Sequence, residues 1–272
     1  MVSITPRFWF VASVLSVSIP FSQAMAQEQP EVKTWRASFL SIFHGPPVGK
    51  LQDTWQPTPQ GERSVMPVLF RNYASVNWSP DQNLELGVTQ YFVAVPVLGT
   101  QFAYRDPYLR VGARDLLPQT VRASWAADLR LHVPVSSVSR GRDLVAGLQT
   151  YHNLSTPLDS ARRLSAGVVA SGRVNFYGSQ GLGSDLELYV GPTVGWQASQ
   201  KLGFSLTYDW GASHWLGEPA GELISDGTDI QPAVSWDVTP ELNVSPFLNL
   251  YTGKNTNLRG SSIGFTLSLQ LI

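Results

Sequence analysis

The segment from Val121 to Val133, VRASWAADLRLHV, alternates polar and apolar side chains with a period of two. On a strand this period puts the two arginines, Asp128 and His132 on one face and the apolar residues on the other. On a helix the same four groups scatter around the axis and leave no apolar stripe. The pattern therefore predicts a strand with one polar and one apolar face.

The same rhythm recurs along the chain between turn signals such as SPDQ, ASQK and VTPE. Most of the predicted strands are longer than the usual strand of about 5–6 residues and reach the roughly 9–11 residues that a tilted strand needs to cross a bilayer. The strands are predicted near residues 32–43, 65–78, 83–96, 104–116, 121–134, 143–154, 164–176, 185–197, 202–215, 228–238, 242–251 and 261–272.

The connections between these strands alternate in length. They are short after the second, fourth, eighth and tenth strands and longer after the first, fifth, seventh, ninth and eleventh. The connection after the sixth strand, Ser155 to Arg163, is longer than this pattern predicts. Outer-membrane barrels combine short periplasmic turns, longer outer loops and an even strand number. The prediction is an all-β fold, a transmembrane antiparallel up-and-down β-barrel of about 12 strands.

A secreted sandwich or a lipocalin-like barrel would give the same alternation, with its apolar face inward. That alternative does not account for the strand lengths, the unequal connections or the tryptophans. Tryptophan favours the membrane interface, and five tryptophans fall on the apolar faces near the end of the barrel with the short turns. They are Trp35, Trp78, Trp125, Trp196 and Trp236.

The N-terminus predicts export. Arg7 precedes an apolar run from Phe8 to Ile19, and Ala24 to Ala26 fits a small-residue cleavage site. The run is shorter than the roughly 20 residues of a spanning helix. We expect a signal peptide at 1–26 and a single barrel domain at 27–272, in the outer membrane of a Gram-negative bacterium.

Composition narrows the chemistry. Charged residues make up 14% of the chain, compared with about 25% in typical soluble domains, and the net charge of -1 gives no reason to expect nucleic acid as a partner. The absence of cysteine excludes disulfides, thiolate metal sites and cysteine catalysis. The 4 histidines show no metal-ligand spacing, so we expect neither a metal nor a cofactor.

If the apolar faces contact lipid, the charged faces line the lumen, because a charge on the lipid side costs about 2–4 kcal/mol at mid-bilayer. Basic and acidic residues then fall on different walls, and a transverse field of this kind orients solutes. Arginine suits anionic solutes through bidentate contacts, but it is equally a good structural partner for lumen carboxylates. The predicted lumen-lining residues are Arg36, Arg71, Arg110, Arg114, Arg122, Arg130, Arg173, Asp128, Asp185, Glu187, Asp209, Asp229 and Asp237.

The last predicted strand, SSIGFTLSLQLI, resembles the closing strand of bacterial outer-membrane β-barrel proteins. Gly264, Leu267 and Leu269 match the glycine-x-x-apolar-x-apolar signal of that family, although the chain ends in Ile272 where an aromatic residue is common. The resemblance implies insertion into the outer membrane by the outer-membrane assembly machinery, with membrane lipid as the surrounding partner.

Three functions remain open at this point. The first is a passive channel for small hydrophilic solutes, anions included. The second is a structural or adhesive barrel with a closed lumen that binds partners through its outer loops, among them the long loop at 44–63, since a barrel of this size lies between filled and open ones. The third is a lipid-modifying enzyme, for which the sequence offers only the pairs His152 with Ser155 and Ser213 with His214.

Overall fold

The computed structural model describes residues 35–57, 63–97, 99, 101–118, 120–252 and 258–271. The predicted signal peptide and Ile272 lie outside these residues. The strands are β1 (Trp35–Pro47), β2 (Trp55–Pro57), β3 (Arg63–Pro67), β4 (Leu69–Trp78), β5 (Leu84–Val95), β6 (Gln101–Tyr104), β7 (Tyr108–Ala113), β8 (Ser124–His132), β9 (Leu144–Pro157), β10 (Leu164–Tyr177), β11 (Ser184–Gln197), β12 (Leu202–Trp215), β13 (Ile224–Asp237), β14 (Leu242–Tyr251) and β15 (Ser262–Gln270).

The strands form a closed antiparallel barrel. From β7 to β15 each strand pairs with the next along the chain, β15 pairs with β1, β1 with β4, β4 with β5, and β5 with β7. Twelve strands therefore complete the ring, which confirms the predicted all-β antiparallel barrel. The described helical structure is small: one helix, α1 (Ser137–Gly141), and 3₁₀ turns at Val48–Lys50 and Leu258–Gly260. No helix in the described ranges is long and apolar enough to span a membrane.

Side chains alternate between the two faces of the barrel as the sequence predicts. Outward residues such as Val88 and Leu206 are each 51% exposed, whereas the inward residues Thr89 and Tyr189 are only 2% and 3% exposed. The outer surface is thus apolar, and polar groups are enclosed by the strands. This is the reverse of a soluble protein, in which large apolar side chains are mostly inside.

Several predicted strand boundaries change in the structure, two of them at neighbouring strands. The predicted strand at 104–116 is shorter in the structure, as β7 at 108–113. Its first residue, Tyr104, instead ends β6, and in the break at 105–107 Gln90 Nε2 donates hydrogen bonds to the carbonyls of Tyr91 and Arg105. The predicted strand at 121–134 begins only at Ser124, so the preceding connection, 114–123, is longer than expected.

The connection after the sixth predicted strand is shorter than the sequence suggested. β9 continues to Pro157 because residues 155–157 pair with 165–167 of β10, which leaves only 158–163 between the two strands. This connection therefore joins the short turns 79–83, 198–201 and 238–241 at the same end of the barrel.

Part of the long first loop is ordered as a small hairpin. β2 and β3 pair at Trp55 and Pro67, and Gln56 Nε2 donates a 2.7 Å hydrogen bond to the carbonyl of Pro67. The loop is also tied to the last loop of the barrel, because Val48 N donates to the carbonyl of Ser261 at 2.7 Å. The described part of this loop is therefore held by hydrogen bonds at the end of the barrel opposite the short turns.

Candidate functional site

A network of ion pairs on β5, β7 and β8 lines one wall of the lumen. Glu85 Oε2 accepts a hydrogen bond from Arg114 Nη2 at 2.6 Å, and Glu85 Oε1 forms an ion pair with Arg110 Nη1 at 2.8 Å. Asp128 lies 3.0 Å from Arg110 Nε, without good hydrogen-bond geometry, and accepts Nε and Nη2 of Arg130 at 3.1 Å each. Three guanidinium groups thus share two buried carboxylates, and the cluster carries an excess positive charge.

The backbone register brings these residues together. Gly112 is the cross-strand partner of both Glu85 and Asp128, and Arg110 pairs with Arg130. With no side chain at Gly112, the Arg110 guanidinium lies over that position, where a Cβ would be only 3.2 Å from its Nη2. Alternation along the sequence predicted that these residues face inward, but it did not predict which acid binds which arginine.

Aromatic rings enclose this cluster, a feature that the sequence analysis missed. The Arg130 guanidinium lies 4.5 Å from the centre of the Tyr151 ring and 5.3 Å from that of Tyr108, both within the range of cation–π attraction. Tyr73 and Tyr91 stack nearly parallel at 4.8 Å on the neighbouring strands. All four tyrosines occupy inward positions of the alternating pattern, so the sequence pattern could have placed these rings in the lumen.

An apolar cluster occupies the inner face beside the tyrosines. Ile42, Tyr73, Ala233 and Phe247 pack together, and each is less than 9% exposed. Leu40, Tyr91 and Tyr108 are partly buried against it. Side chains from β1, β4, β13 and β14 therefore meet inside the barrel and narrow the lumen.

Acidic residues line the opposite arc of the barrel. In the order of the twelve strands around the ring, β13 lies across from β7. Asp209 and Asp229 are direct cross-strand partners, and the Tyr189 hydroxyl donates to Asp209. Glu187 accepts hydrogen bonds from Asn175 Nδ2 at 3.1 Å and Ser184 Oγ at 2.7 Å.

The remaining acids of this arc are also held by nearby donors. Asp237 accepts Asn243 Nδ2 at 2.7 Å, and Asp185 lies 2.6 Å from His214 Nδ1. The hydrogen-bond donors described for Glu187 and Asp237 are neutral side chains.

The other predicted arginines differ in position. Arg36 and Arg71 lie on the inward positions of β1 and β4. Arg173, on β10 between Gln149 and Glu187, has a buried Nε without a hydrogen-bond partner in the described chain. Arg122 precedes β8 and is exposed in the 114–123 connection, so it does not belong to the strand wall.

The five tryptophans lie together at one end of the barrel, on its outer face. Trp35 at the start of β1 pairs with Trp78 at the end of β4, and their ring centres are 6.3 Å apart. Trp125 is the second residue of β8, and Trp196 and Trp236 are each one residue before the end of β11 and β13. The row lies at the end with the short turns.

Neither serine–histidine pair from the sequence is a nucleophile–base pair in the structure. Ser213 Oγ donates to Asp226 at 2.7 Å, while His214 contacts Asp185 and the carbonyl of Pro219. His152 faces outward beside Trp125, whereas Ser155 faces inward. The geometry of these pairs gives no support to serine hydrolase chemistry.

No family model matches the sequence, and no curated protein matches it. The chain is similar in fold to a crystal structure of an outer membrane channel from Pseudomonas putida F1. The TM-score is 0.57 at 11% sequence identity, over 90% of this chain and 100% of that one. A second structure, from work on the in-meso crystallization of membrane proteins, has a TM-score of 0.47 at 9% identity and covers 87% of this chain and 83% of that one. The first similarity shows a common barrel fold.

Proposed function

We propose that the protein is an outer-membrane channel that passes small hydrophilic solutes, including anions, passively through its lumen. The observation that carries the proposal is the combination of an apolar outer surface with charged groups enclosed inside a closed barrel. A membrane is the solvent that suits such a surface, since transmembrane barrels place apolar residues toward lipid and polar residues toward the lumen. The fold shared with an outer membrane channel supports the same proposal.

The charges suit a passive mechanism. The Arg110, Arg114 and Arg130 cluster keeps an excess positive charge on one wall, and Asp209 and Asp229 place two carboxyl groups side by side on the opposite arc. A narrow passage between walls of opposite sign attracts ions and orients dipolar solutes. The tyrosines that hold Arg130 keep its guanidinium in place without neutralising it.

Membrane location and insertion are part of the proposal. The tryptophan row would lie at the periplasmic interface, where amphipathic rings are favoured. The closing strand with Gly264, Leu267 and Leu269 would be the segment read by the assembly machinery. Single Leu267→Asn or Leu269→Asn variants should then reach the outer membrane in reduced amount, which fractionation of cells by membrane density measures.

The test of the channel is conductance in planar bilayers. We expect ohmic steps whose anion-to-cation permeability ratio falls in Arg173→Gln, because the variant removes a positive charge from an inward position. Arg173 suits this test because its buried Nε has no hydrogen-bond partner in the described chain. Arg140→Gln is the matched control, since Arg140 is an exposed residue of α1 outside the lumen. A protein that inserts into the bilayer but carries no current would contradict the proposal.

The second candidate is a barrel with a closed lumen that acts through its outer loops. It is favoured by the packing of Tyr73, Phe247, Tyr151 and Tyr189 inside the barrel, all of which are 7% exposed or less. Silence in the bilayer experiment, together with normal insertion, would favour this candidate. Replacing Phe247 with alanine should not open a conductance if the closure is extensive.

A further inference from the structure

Among the residues that the structure describes, the barrel wall is incomplete on one side of β6. β6 pairs with β5 from Phe92 opposite Tyr104 to Val95 opposite Gln101. β6 has no second partner among the described strands, because the pairing of β8 with β7 covers only Tyr108 to Ala113. All four residues of β6, whether they point inward or outward, are exposed, as expected for a free edge.

The opposite rim belongs to β9. Pairing between β8 and β9 ends at His132 and Gly147, so residues 144–146 pair with β10 alone. The intervening connection, 133–143, is bound to Asp106, which accepts Val135 N at 3.0 Å and Ser136 N at 2.8 Å.

The C-terminal end of the 133–143 connection is hydrogen-bonded to the turn between β10 and β11. Arg142 O accepts Leu182 N at 3.1 Å and Asp143 O accepts Gly178 N at 2.8 Å, both from the turn between β10 and β11. The positive φ of Asp143 shapes this end, and the residue lies in the connection rather than in the predicted strand that begins at 143. These contacts fix both ends of the connection, and Ser139 Oγ of α1 also donates to Asp106. Among the described residues, no strand pairs with the outer edge of β6.

The gap lies at membrane depth in the proposed orientation. Leu86 is the partner of Trp78 in the tryptophan row. The rise from Leu86 to Phe92 is about 15 Å at roughly 3.3 Å per residue and a tilt near 40°, within an apolar band about 25 Å tall. Phe102 of β6 packs on Phe92 at 4.9 Å, and Phe92 packs on Phe39 at 6.3 Å, so the outer face of β6 continues the apolar surface.

An unpaired strand edge cannot face hydrocarbon, because each unsatisfied backbone group costs several kcal/mol there. Water from the lumen can solvate the edge of β6 through the gap. Exposed apolar side chains border the same gap, with Tyr104 70% and Val145 61% exposed, and Val135 and Val138 on the connection. The opening therefore joins a wet polar edge to apolar rims.

We propose that this side opening, between β6 and β9, lets small amphiphilic solutes pass between the lumen and the outer half of the bilayer. The proposal rests on the proposed membrane barrel and adds a route and a solute class to it. The polar head of the solute would stay with water and the free backbone groups of β6, while its apolar part would contact Tyr104, Val135 and Val145. Such a solute leaves the lumen sideways and need not cross the narrow region around Tyr73 and Phe247.

The cysteine-free sequence allows a direct test by site-specific labelling. Ala103 faces inward at the edge of β6, opposite the buried Val93. A bimane fluorophore on Ala103→Cys, in phospholipid bilayers, should be quenched both by aqueous iodide and by brominated lipid. Thr193→Cys is the lumen control, since it faces inward between two paired neighbours, and Val190→Cys is the lipid control on the outer face.

We expect iodide alone to quench the label at Thr193→Cys and brominated lipid alone to quench the label at Val190→Cys. Quenching of the Ala103→Cys label by iodide only would overturn the side opening while leaving the membrane barrel intact. Failure of brominated lipid to quench at Val190→Cys would instead overturn the membrane barrel itself.

A transport measurement tests the solute class. Octanoate, which has an apolar chain and a polar head, should enter liposomes severalfold more slowly when the Ala103→Cys variant carries the bulky label, while acetate entry stays unchanged. The labelled Val190→Cys variant should slow neither solute. Equal slowing of octanoate and acetate would overturn the proposed route, as would disulfide-linked dimers of Gln101→Cys in bilayers, because a second copy would then cover the edge.

Discussion

Gly264 shows how one residue of the closing strand is fixed by packing. The Phe247 ring lies over it so closely that a Cβ at Gly264 would be 2.3 Å from the ring, and 2.7 Å from the carbonyl oxygen of Phe43. The strand signal quoted from the sequence therefore has a second explanation inside this barrel. The glycine lets an aromatic ring from β14 reach the apolar cluster around Ile42 and Tyr73.

We predict that Gly264→Ala lowers the free energy of unfolding by about 1–3 kcal/mol, because an added methyl group in a packed site forces its neighbours to move. Urea titration of the folded barrel, followed by its shifted mobility on gels without boiling, measures the change. Gly172→Ala is the control, since its Cβ would meet nothing closer than 3.7 Å. Equal effects of the two variants would show that Phe247 does not set the requirement at Gly264.

At the same scale, the sequence predicted directions better than partners. Alternation placed Arg110, Asp128 and Arg130 inward, as the register shows. The contact between Arg130 and the Tyr151 ring depends on β9 lying beside β8 and on the long reach of both side chains, which one strand's pattern does not contain. Arg122 was assigned to the lumen because the two-residue rhythm continues past the point where pairing stops at Ser124.

Among the elements, β5, β7 and β8 behave as one electrostatic unit. Glu85 of β5 forms ion pairs with Arg110 of β7 and with Arg114 in the connection that follows β7. Its side chain is only 4% exposed. The arginines are 26% and 42% exposed, so water screens part of the attraction. The unit therefore sets the charge of this wall more than the stability of the barrel.

We predict that Glu85→Gln makes the proposed channel more anion-selective, because Arg110 and Arg114 lose a shared counter-charge. The reversal potential in a salt gradient across a planar bilayer measures this change. Glu222→Gln, in the exposed 216–223 loop, is the control for the loss of one negative charge. An unchanged reversal potential in Glu85→Gln, with channels still open, would place this cluster outside the conducting path.

Element boundaries follow from sequence where strands pair along their full length. The predicted strands at 202–215 and 242–251 match β12 and β14 at both ends. The break at 105–107 between β6 and β7 was missed because the period of two continues through it in the sequence. Only the neighbouring strand reveals the break, through the Gln90 amide that bonds the carbonyl of Arg105.

For the whole molecule, closure of the barrel turns a local pattern into two environments. Each strand alone has one polar and one apolar face, and either face could be the inner one in a barrel. Tyr189, Thr89 and Ser245 are almost fully buried, whereas Val194 and Leu206 are about half exposed, so the polar face is the inner one. The fold was therefore predictable from pattern and connection length, while the contents of the lumen depended on long-range pairing.

The proposed membrane orientation gives the last prediction. Val190 lies on the outer face of β11 opposite Trp210 and is 38% exposed. From Trp196 in the tryptophan row, the rise to Val190 is about 15 Å, close to the middle of an apolar band about 25 Å tall.

We expect Val190→Arg to lower the free energy of unfolding in phospholipid bilayers by about 2–4 kcal/mol, because the guanidinium would replace an apolar contact with hydrocarbon. Leu216→Arg is the matched control, since Leu216 is similarly exposed in the 216–223 loop, outside the strands, and should change stability very little. Urea titrations of both variants in the same lipid give the comparison.

If this face met water instead, an arginine at Val190 would be tolerated as well as one at Leu216, and the protein would remain monodisperse in buffer without detergent. Those two results together would reject the membrane barrel, because an apolar belt of this extent cannot be kept in water without association.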